Sequence, residues 1–275
     1  MTTVLVTGAS GNVGREVVRA CGAAGFDVRA AGTGGVPFDF TDRATWAAAL
    51  AGADFVFLLR PPPLGAMSTT LNPFVDAAFA AGVKHLVFLS VSGAETKTWV
   101  PHRKVEDHLK TTKGSWTVLR PGFFAQNLGD AYRRDVQEDS RLFVPAAQGR
   151  VAFLDVADLG DVTARVFQEP ERFRSKAIRL AGPEAVTFEQ LAAQLTSVLG
   201  RRITYEPASI VGYAWHLWRH RGLSLMQIVV QTVLHVGLRS GDAEAVDDEQ
   251  VGLLGRPATP LRGYLERNRQ AWQGA

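Results

Sequence analysis

The chain has 275 residues, and its 30 Lys and Arg against 27 Asp and Glu give a net charge of +3. Hydrophobic residues make up 46% and charged residues 21% of the sequence, which excludes a disordered chain. The charge excess is too small for a nucleic-acid-binding surface, so no nucleic-acid partner is expected. A single cysteine, Cys21, excludes an internal disulfide.

The N-terminal half alternates between two kinds of segment. Short apolar runs predict strands at 4–6, 26–31, 54–59, 85–90 and 115–120, and helical spacing predicts helices at 12–24, 44–51, 71–81 and 102–112. This alternation predicts βαβ units, and unbroken apolar strands are typical of a parallel sheet covered on both faces.

The later segments are less regular. A strand at 151–154, a helix from Val156 and a helix from Thr187 to Gly200 are predicted, the last with a capping box of Thr187 and Gln190. The predicted fold is therefore a doubly wound parallel-sheet Rossmann fold of class α/β over residues 1–170. A smaller α/β lobe over 171–275 is expected to cover the substrate.

The sequence contains no run of about 20 apolar residues, and its N-terminus lacks the basic and apolar regions of a signal peptide. We therefore expect no membrane partner and a cytoplasmic location. A monomer or a homodimer that acts on a small molecule is the expected state.

The strongest motif lies between the first strand and the first helix, in the segment Thr7-Gly8-Ala9-Ser10-Gly11-Asn12-Val13-Gly14. Its first glycine permits a tight turn, the second lets the backbone approach a pyrophosphate, and the third lets the helix pack close to the strand. The anion would meet the N–H groups at the helix N-terminus. The motif predicts a dinucleotide site formed by Gly8, Ser10, Gly11, Asn12, Val13 and Gly14.

The end of the second strand bears on the choice of cofactor. An acidic residue there would bind the ribose hydroxyl of NAD, and a basic residue would accept the extra phosphate of NADP. The sequence has Ala31-Gly32-Thr33-Gly34, with neither charge. We therefore expect NADP(H) rather than NAD(H), with Thr33 near the phosphate. Asp39 is expected either to contact the adenine region or to cap the next helix.

Besides the glycine loop, four segments carry recognisable motifs, namely Phe57–Pro62, Gly82–Ser90, His102-x-x-x-Glu106 and Trp116–Phe124. Together with the loop they resemble the NmrA-like group of atypical short-chain dehydrogenases/reductases. The resemblance covers nearly the whole chain and is weakest from Tyr205 to Glu249. It implies NAD(P)H-dependent reduction of quinones or of imine-type or conjugated bonds, or a redox-sensing regulator. Further cofactor contacts are expected from Phe40, Leu59, Arg60, Pro61, Ser90, Pro121 and Phe123.

The chain departs from the usual catalytic pattern of short-chain reductases. None of its tyrosines is followed four positions later by lysine, so a Tyr-x-x-x-Lys acid is absent. By analogy, the lysine position falls on His102 and the tyrosine position on Thr98. His102 is the candidate proton donor because the ordinary pKa of histidine is near neutrality. The alternative is that His102 only makes a structural hydrogen bond at the start of the helix. Ser90 is the second catalytic candidate, or a strand-end cap.

The remaining candidates concern the substrate. Phe123, Phe124 and Asn127 are expected either to line the nicotinamide end of the site or to belong to the core. Trp215, among other aromatic residues, is expected to roof an apolar substrate, to form an oligomer contact or to be core.

No metal site is predicted, because His216 and His220 have no acidic or cysteine partner close in sequence. Two functions remain open. The first is a reductase that transfers hydride to an electrophilic carbon, and the second is a non-catalytic NAD(P)-sensing regulator.

Overall fold

The computed structural model describes residues 1–32, 34–62, 64–246 and 249–273. Its strands are β1 (Thr3–Thr7), β2 (Asp27–Ala31), β3 (Phe55–Leu59), β4 (His85–Leu89), β5 (Trp116–Pro121), β6 (Arg141–Val144), β7 (Arg150–Ala152), β8 (Lys176–Leu180), β9 (Ala185–Thr187) and β10 (Thr204–Pro207). Its helices are α1 (Asn12–Ala23), α2 (Trp46–Leu50), α3 (Leu71–Ala80), α4 (Pro101–Thr111), α5 (Asn127–Asp130), α6 (Arg133–Glu138), α7 (Val156–Gln168), α8 (Pro170–Phe173), α9 (Phe188–Leu199), α10 (Ile210–Arg219), α11 (Leu225–Gly237), α12 (Glu249–Leu254) and α13 (Leu261–Arg267).

The main sheet confirms the predicted Rossmann architecture. Within the described ranges it has six strands in the order β2-β1-β3-β4-β5-β8, and every pairing is parallel. The strand order reverses direction between β1 and β3, because β2 lies on one side of β1 and β3 on the other. Ligands of open α/β sheets bind outside the carboxyl ends of the strands at such a switch point.

The described residues form two compact units that do not follow each other along the chain. Unit 1 comprises Met1–Gly122, Val156–Leu180 and Glu249–Pro257, and unit 2 comprises Phe123–Asp155, Ala181–Asp248 and Ala258–Ala275. This division differs from the single boundary predicted at residue 170. The reason is that the chain leaves the sheet after β5 and later returns to it with β8.

The core of unit 1 consists of apolar side chains on β1, β3 and β4 and on the helices that pack against them. Three strand residues, Leu5, Val56 and Phe88, are fully buried, and so are Leu71 and Phe74 of α3. Because β1 and β4 are buried along their whole length, their inner positions are apolar without alternation, and polar residues (Thr3, Thr7 and His85) occur only at their ends.

Unit 2 has its own core. It contains two short pairings, β10 with β6 in parallel and β7 with β9 antiparallel. The predicted capping box is confirmed, because Thr187 accepts from the Gln190 N–H and the Gln190 side chain accepts from the Thr187 N–H. None of the helices in the described ranges is long and apolar enough to cross a membrane.

Candidate cofactor site

The loop after β1 turns sharply at Gly8, which has a φ of +66°. The Gly11 N–H donates to the Gly8 carbonyl at 3.0 Å and closes the turn. A residue with a side chain rarely adopts this left-handed conformation, so the turn requires glycine here. The loop places Ser10 and Gly11 at the surface, directly before α1.

The third glycine of the motif is required by packing. A Cβ atom on Gly14 would lie 2.0 Å from the Gly8 carbonyl oxygen and 2.7 Å from the Ala9 Cα. Both neighbours are backbone atoms that no side-chain rotation can move. The first turn of α1 therefore packs directly on the loop, as the sequence predicts.

The second glycine has a different environment. A Cβ atom on Gly11 would meet only the Gly8 carbonyl oxygen, at 3.4 Å, among the described atoms within 4 Å. Its φ of −79° and ψ of 171° are open to any residue. The fold itself therefore does not require glycine at position 11, whereas a ligand lying against the loop would.

The start of α1 can bind an anion. The N-cap of α1 is Gly11, which has no side chain that could accept from the first turn. The N–H groups of Val13 and Gly14 lie in that first turn, where an α-helix has no acceptor of its own. Together with the positive end of the helix dipole, these donors fit the pyrophosphate of a dinucleotide.

The end of β3 is fixed next to this loop. The Thr7 hydroxyl donates to the Phe57 carbonyl at 3.1 Å and accepts from the Leu59 N–H at 2.8 Å. The Leu59 side chain lies 3.1 Å from the position of a Gly8 Cβ. The structure therefore brings together Gly8 and Leu59, two of the predicted cofactor residues.

The second glycine loop follows β2. The Gly32 N–H donates to the Val36 carbonyl at 2.9 Å, and the Val36 N–H donates to the Ala30 carbonyl at 2.9 Å. Thr33, predicted to lie near a phosphate, is outside the described residues. The nearby Arg29 does not supply a phosphate contact, since its guanidinium donates to the carbonyls of Ala49 and Ala51.

The two predicted adenine-region residues have structural contacts of their own. Asp39 accepts from the N–H and the hydroxyl of Thr41, both at 2.7 Å, and these bonds lower the pKa of its carboxyl group. The Phe40 ring is 4% exposed and packs edge-to-face on Phe38 and Phe74. Asp39 thus stabilises the turn before α2, and Phe40 belongs to the core.

Arg60 and His102 meet in unit 1, although 42 positions separate them in sequence. The Arg60 Nε–H donates to His102 Nε2 at 3.3 Å. Another nitrogen of the guanidinium donates to the carbonyls of Pro61, Pro62 and Leu64. Arg60 therefore fixes both the loop after β3 and the imidazole at the start of α4.

Burial and the contact with Arg60 together keep His102 neutral. Burial, and then the nearby Arg60 charge, lower the pKa of His102 to about 4. The near-neutral pKa expected from the sequence is therefore not found, and the imidazole is neutral at pH 7. Because Nε2 accepts from Arg60, Nδ1 carries the proton. Nδ1 is buried and has no hydrogen-bond partner in the part of the chain that the structure describes.

Ser90 belongs to a buried polar network at the ends of β4 and β5. Its hydroxyl is 1% exposed and donates to Glu106 Oε1 at 2.5 Å. Arg120 binds both oxygens of Glu106, at 3.1 and 2.6 Å. The hydroxyl proton of Ser90 is thus committed to Glu106. This geometry fits the second expectation for Ser90, a cap at the end of a strand, rather than a catalytic role. Pro121, at the end of β5, accepts from the Ser92 N–H at 2.9 Å.

The remaining predicted residues lie in unit 2. The backbone of Phe123 accepts from the Leu154 N–H at 2.8 Å, and Phe124 forms a parallel bridge with Leu154. The Phe123 ring packs edge-to-face on Phe153, with centroids 5.7 Å apart. Asn127 begins α5, and Trp215 on α10 is 56% exposed. Their predicted contact with substrate stays a prediction.

The histidine pair of α10 has a structural partner. His216 is 4% exposed, and its Nε2 lies 2.9 Å from Asp135 Oδ1, a carboxyl group 81 positions earlier. No group of three or more His, Cys, Asp or Glu that could hold a metal ion is present among the described residues.

Trp99 is a site candidate that no motif of the sequence indicates. It lies in the loop between β4 and α4 and is 74% exposed. This loop follows the carboxyl end of a central strand, the edge where ligands of such sheets bind. In the sequence, the sign of such a site is a tryptophan in the loop after a central strand. The structure adds that its ring is exposed to solvent.

The family model for the NmrA-like family matches residues 35–213. The chain belongs to the NmrA-like family. A solved structure similar to this NmrA-like protein is the NADPH-dependent quinone oxidoreductase of Escherichia coli in complex with NADPH. It is 26% identical, with a TM-score of 0.82, and the match covers 96% of this chain and 99% of that chain.

Two curated relatives of this NmrA-like protein are named for redox activities. Agroclavine dehydrogenase of Claviceps fusiformis is 29% identical over 245 residues, 86% of this chain and 83% of that protein. NAD(P)H azoreductase of Xenophilus azovorans is 29% identical over 223 residues, 74% of this chain and 76% of that protein.

Proposed function

We propose that this NAD(P)H-dependent oxidoreductase reduces a small organic molecule at an electrophilic carbon without a Tyr-x-x-x-Lys acid. The proposal rests above all on the glycine loop at the switch point between β1 and β3, where Gly14 packs on the Gly8 carbonyl and α1 begins without a side-chain cap. A bound nicotinamide cofactor supplies the hydride. The names of the relatives, a quinone reductase, an azoreductase and a dehydrogenase, support the reaction type.

The state of His102 narrows the class of substrate. Its neutral imidazole carries its one proton on the buried Nδ1, and at neutral pH it holds no second proton to give away. Such a group does not replace a general acid. The site therefore suits acceptors that are already cationic or strongly polarised, such as iminium ions and quinones. The reduced oxygen of a quinone takes its proton from water.

The proposed cofactor is NADPH rather than NADH. The sequence has no acidic residue between Ala31 and Phe38 that would bind the ribose hydroxyl of NAD. The next acid, Asp39, is occupied by Thr41. We expect NADPH to bind at least about 10-fold more tightly than NADH, a difference of about 1.4 kcal/mol. Titration calorimetry with both cofactors measures this ratio, and equal affinities contradict the proposal.

The reaction is tested by following the loss of NADPH absorbance with a panel of quinones, iminium ions, enones and simple ketones. The expected order has iminium ions and quinones ahead of enones, and simple ketones inactive. Tight binding of NADPH without oxidation by any of these acceptors would contradict a reductase. That result would support the alternative, an NAD(P)-sensing regulator, for which the missing Tyr-x-x-x-Lys is the motivating observation.

The pH dependence tests the role of His102. Because its pKa is about 4, kcat/KM with a quinone should show no ionisation of His102 between pH 5.5 and 8. His102→Asn, which keeps an acceptor for the Arg60 Nε–H, should lower kcat less than His102→Ala. A bell-shaped profile with a pKa near 6.5 that disappears in His102→Asn would show that the imidazole transfers a proton.

A further inference from the structure

Helix α11 has an apolar face that is turned to solvent. Its members Leu225, Met226, Val229, Val230, Val233 and Leu234 are between 48% and 78% exposed. We call these six residues the α11 stripe. The opposite side of the helix buries Ile228 and His235 in unit 2. A helix that is packed on one side and apolar on the other is typical of an element covered on both sides.

The stripe has no charged neighbours along the helix. From Gly222 to Leu238 the sequence contains no Asp, Glu, Lys or Arg. Depletion of charge distinguishes the centre of a protein interface from ordinary surface. The same feature disfavours a lipid surface, because helices that lie on membranes carry Lys and Arg on their polar side. The nearby Arg221 is engaged by Asp135, and the exposed Arg219 lies at the end of α10 rather than on α11.

Helix α10 extends this surface. A groove of about 620 Å³ is lined by Trp215 and Trp218 on α10 and by Leu225 and Ile228 on α11, among other residues. The two tryptophans are 56% and 57% exposed, and their ring centroids lie 5.2 Å apart. Tryptophan is one of the residue types that contribute most to the binding energy of protein interfaces.

The spacing of the stripe points to the occupant. Its residues are adjacent pairs repeated every four positions, at 225/226, 229/230 and 233/234. Rows of residues four apart form the ridges that interlock in the commonest class of helix packing. Two identical ridges of this kind fit each other across a two-fold axis, as an isologous interface requires.

The area of the surface also fits a second copy. The exposed parts of the stripe and of the two tryptophans amount to roughly 900 Å², with about 150–250 Å² for a whole aromatic side chain and less for an aliphatic one. A stable interface buries about 800 Å² on each partner. We infer that this surface joins two copies of the chain into a two-fold dimer in which α11 packs on α11.

Sedimentation equilibrium of the full chain with NADPH tests the inference. The wild type should be a dimer, and the double variant Val229→Glu, Val233→Glu should weaken dimerisation at least about 100-fold, because it places like charges opposite each other. Ala193→Glu is the matched control, since Ala193 is exposed on α9 of the same unit but outside the stripe. It should dimerise like the wild type. Circular dichroism checks that each variant is folded.

A charge-swap experiment decides whether the partner is a second copy packed through the same helix. Mixing Val229→Glu, Val233→Glu with Val229→Lys, Val233→Lys should restore a heterodimer, because opposite charges then face each other. A wild type that stays monomeric, or glutamate variants that dimerise like the wild type, would overturn the inference. Binding of the monomeric wild type to anionic phosphatidylglycerol vesicles would also overturn it, in favour of a lipid surface.

Discussion

Replacing Gly11 by alanine separates the needs of the fold from those of a ligand. The added Cβ would meet only the Gly8 carbonyl among the described atoms within 4 Å, at an ordinary contact distance of 3.4 Å. Alanine is a poorer N-cap than glycine by up to about 1 kcal/mol. The lower entropy of its unfolded chain offsets about 0.4–1 kcal/mol of this loss. The melting temperature should therefore stay within about 3 °C of the wild type.

Cofactor binding should respond very differently to the same change. The methyl group would stand where the backbone must approach the pyrophosphate, before the first-turn donors of α1. Loss of one hydrogen bond to a charged group removes about 1.5–3 kcal/mol. The Kd for NADPH should therefore rise roughly 10- to 150-fold. Titration calorimetry measures the Kd, and differential scanning calorimetry measures the melting temperature.

Two further alanine variants on α1 serve as controls. For Gly22, no described atom lies within 4 Å of an added Cβ, so Gly22→Ala should leave the Kd unchanged and stabilise the helix by about 0.5–1 kcal/mol. Gly14→Ala needs the Cβ to move from 2.0 Å to beyond 3.0 Å from Gly8, and should lower both stability and affinity. The reasoning is refuted if Gly11→Ala binds NADPH like the wild type while Gly14→Ala does not.

Two buried histidines, the buried ion pair of Arg120 and Glu106, and the exposed Trp99 can each be tested. Burial lowers the pKa values of His85 and His235 to about 4, so the unfolded chain binds protons before the folded chain does as pH falls from 6.5 to 4. Each histidine should therefore lower the free energy of unfolding by at most about 3 kcal/mol over this range. Melting temperatures that stay constant from pH 6.5 to 4 contradict the prediction. Arg120→Met leaves the buried Glu106 carboxylate without its cation and with only the Ser90 hydroxyl as a donor. The variant should lose about 3–5 kcal/mol of stability in urea unfolding, with partial recovery on adding Glu106→Gln, and unchanged stability contradicts the prediction. Trp99→Ala should raise the quinone KM without altering the melting temperature, because the ring is 74% exposed; an unchanged KM removes Trp99 from the site.

The parts of the structure that depend on local sequence could be predicted. The glycine loop and the capping box of Thr187 and Gln190 each involve residues within a few positions of one another. The sixth strand could not be predicted, because β8 lies at the sheet edge. Its exposed Lys176 and Arg179 interrupt the apolar pattern that identifies the inner strands.

The chemistry of the site depended on contacts that the sequence does not display. His102 was the right type of residue for a proton donor, but Arg60, 42 positions away, and burial reverse the expectation for its pKa. The Ser90 hydroxyl likewise donates a hydrogen bond to Glu106, 16 positions later. Such pairings arise when strands and helices pack, so position in the sequence alone does not reveal them.

The interleaving of the two units has a consequence for the chain as it leaves the ribosome. By Pro121 five strands of the sheet have been made, but β8, the neighbour of β5, comes only after the whole segment Phe123–Asp155 of the other unit. During that interval the backbone groups on one side of β5 have no strand to pair with. An open strand edge invites pairing with other chains. We therefore expect the edge of β5 to be open on the nascent chain until β8 has been made.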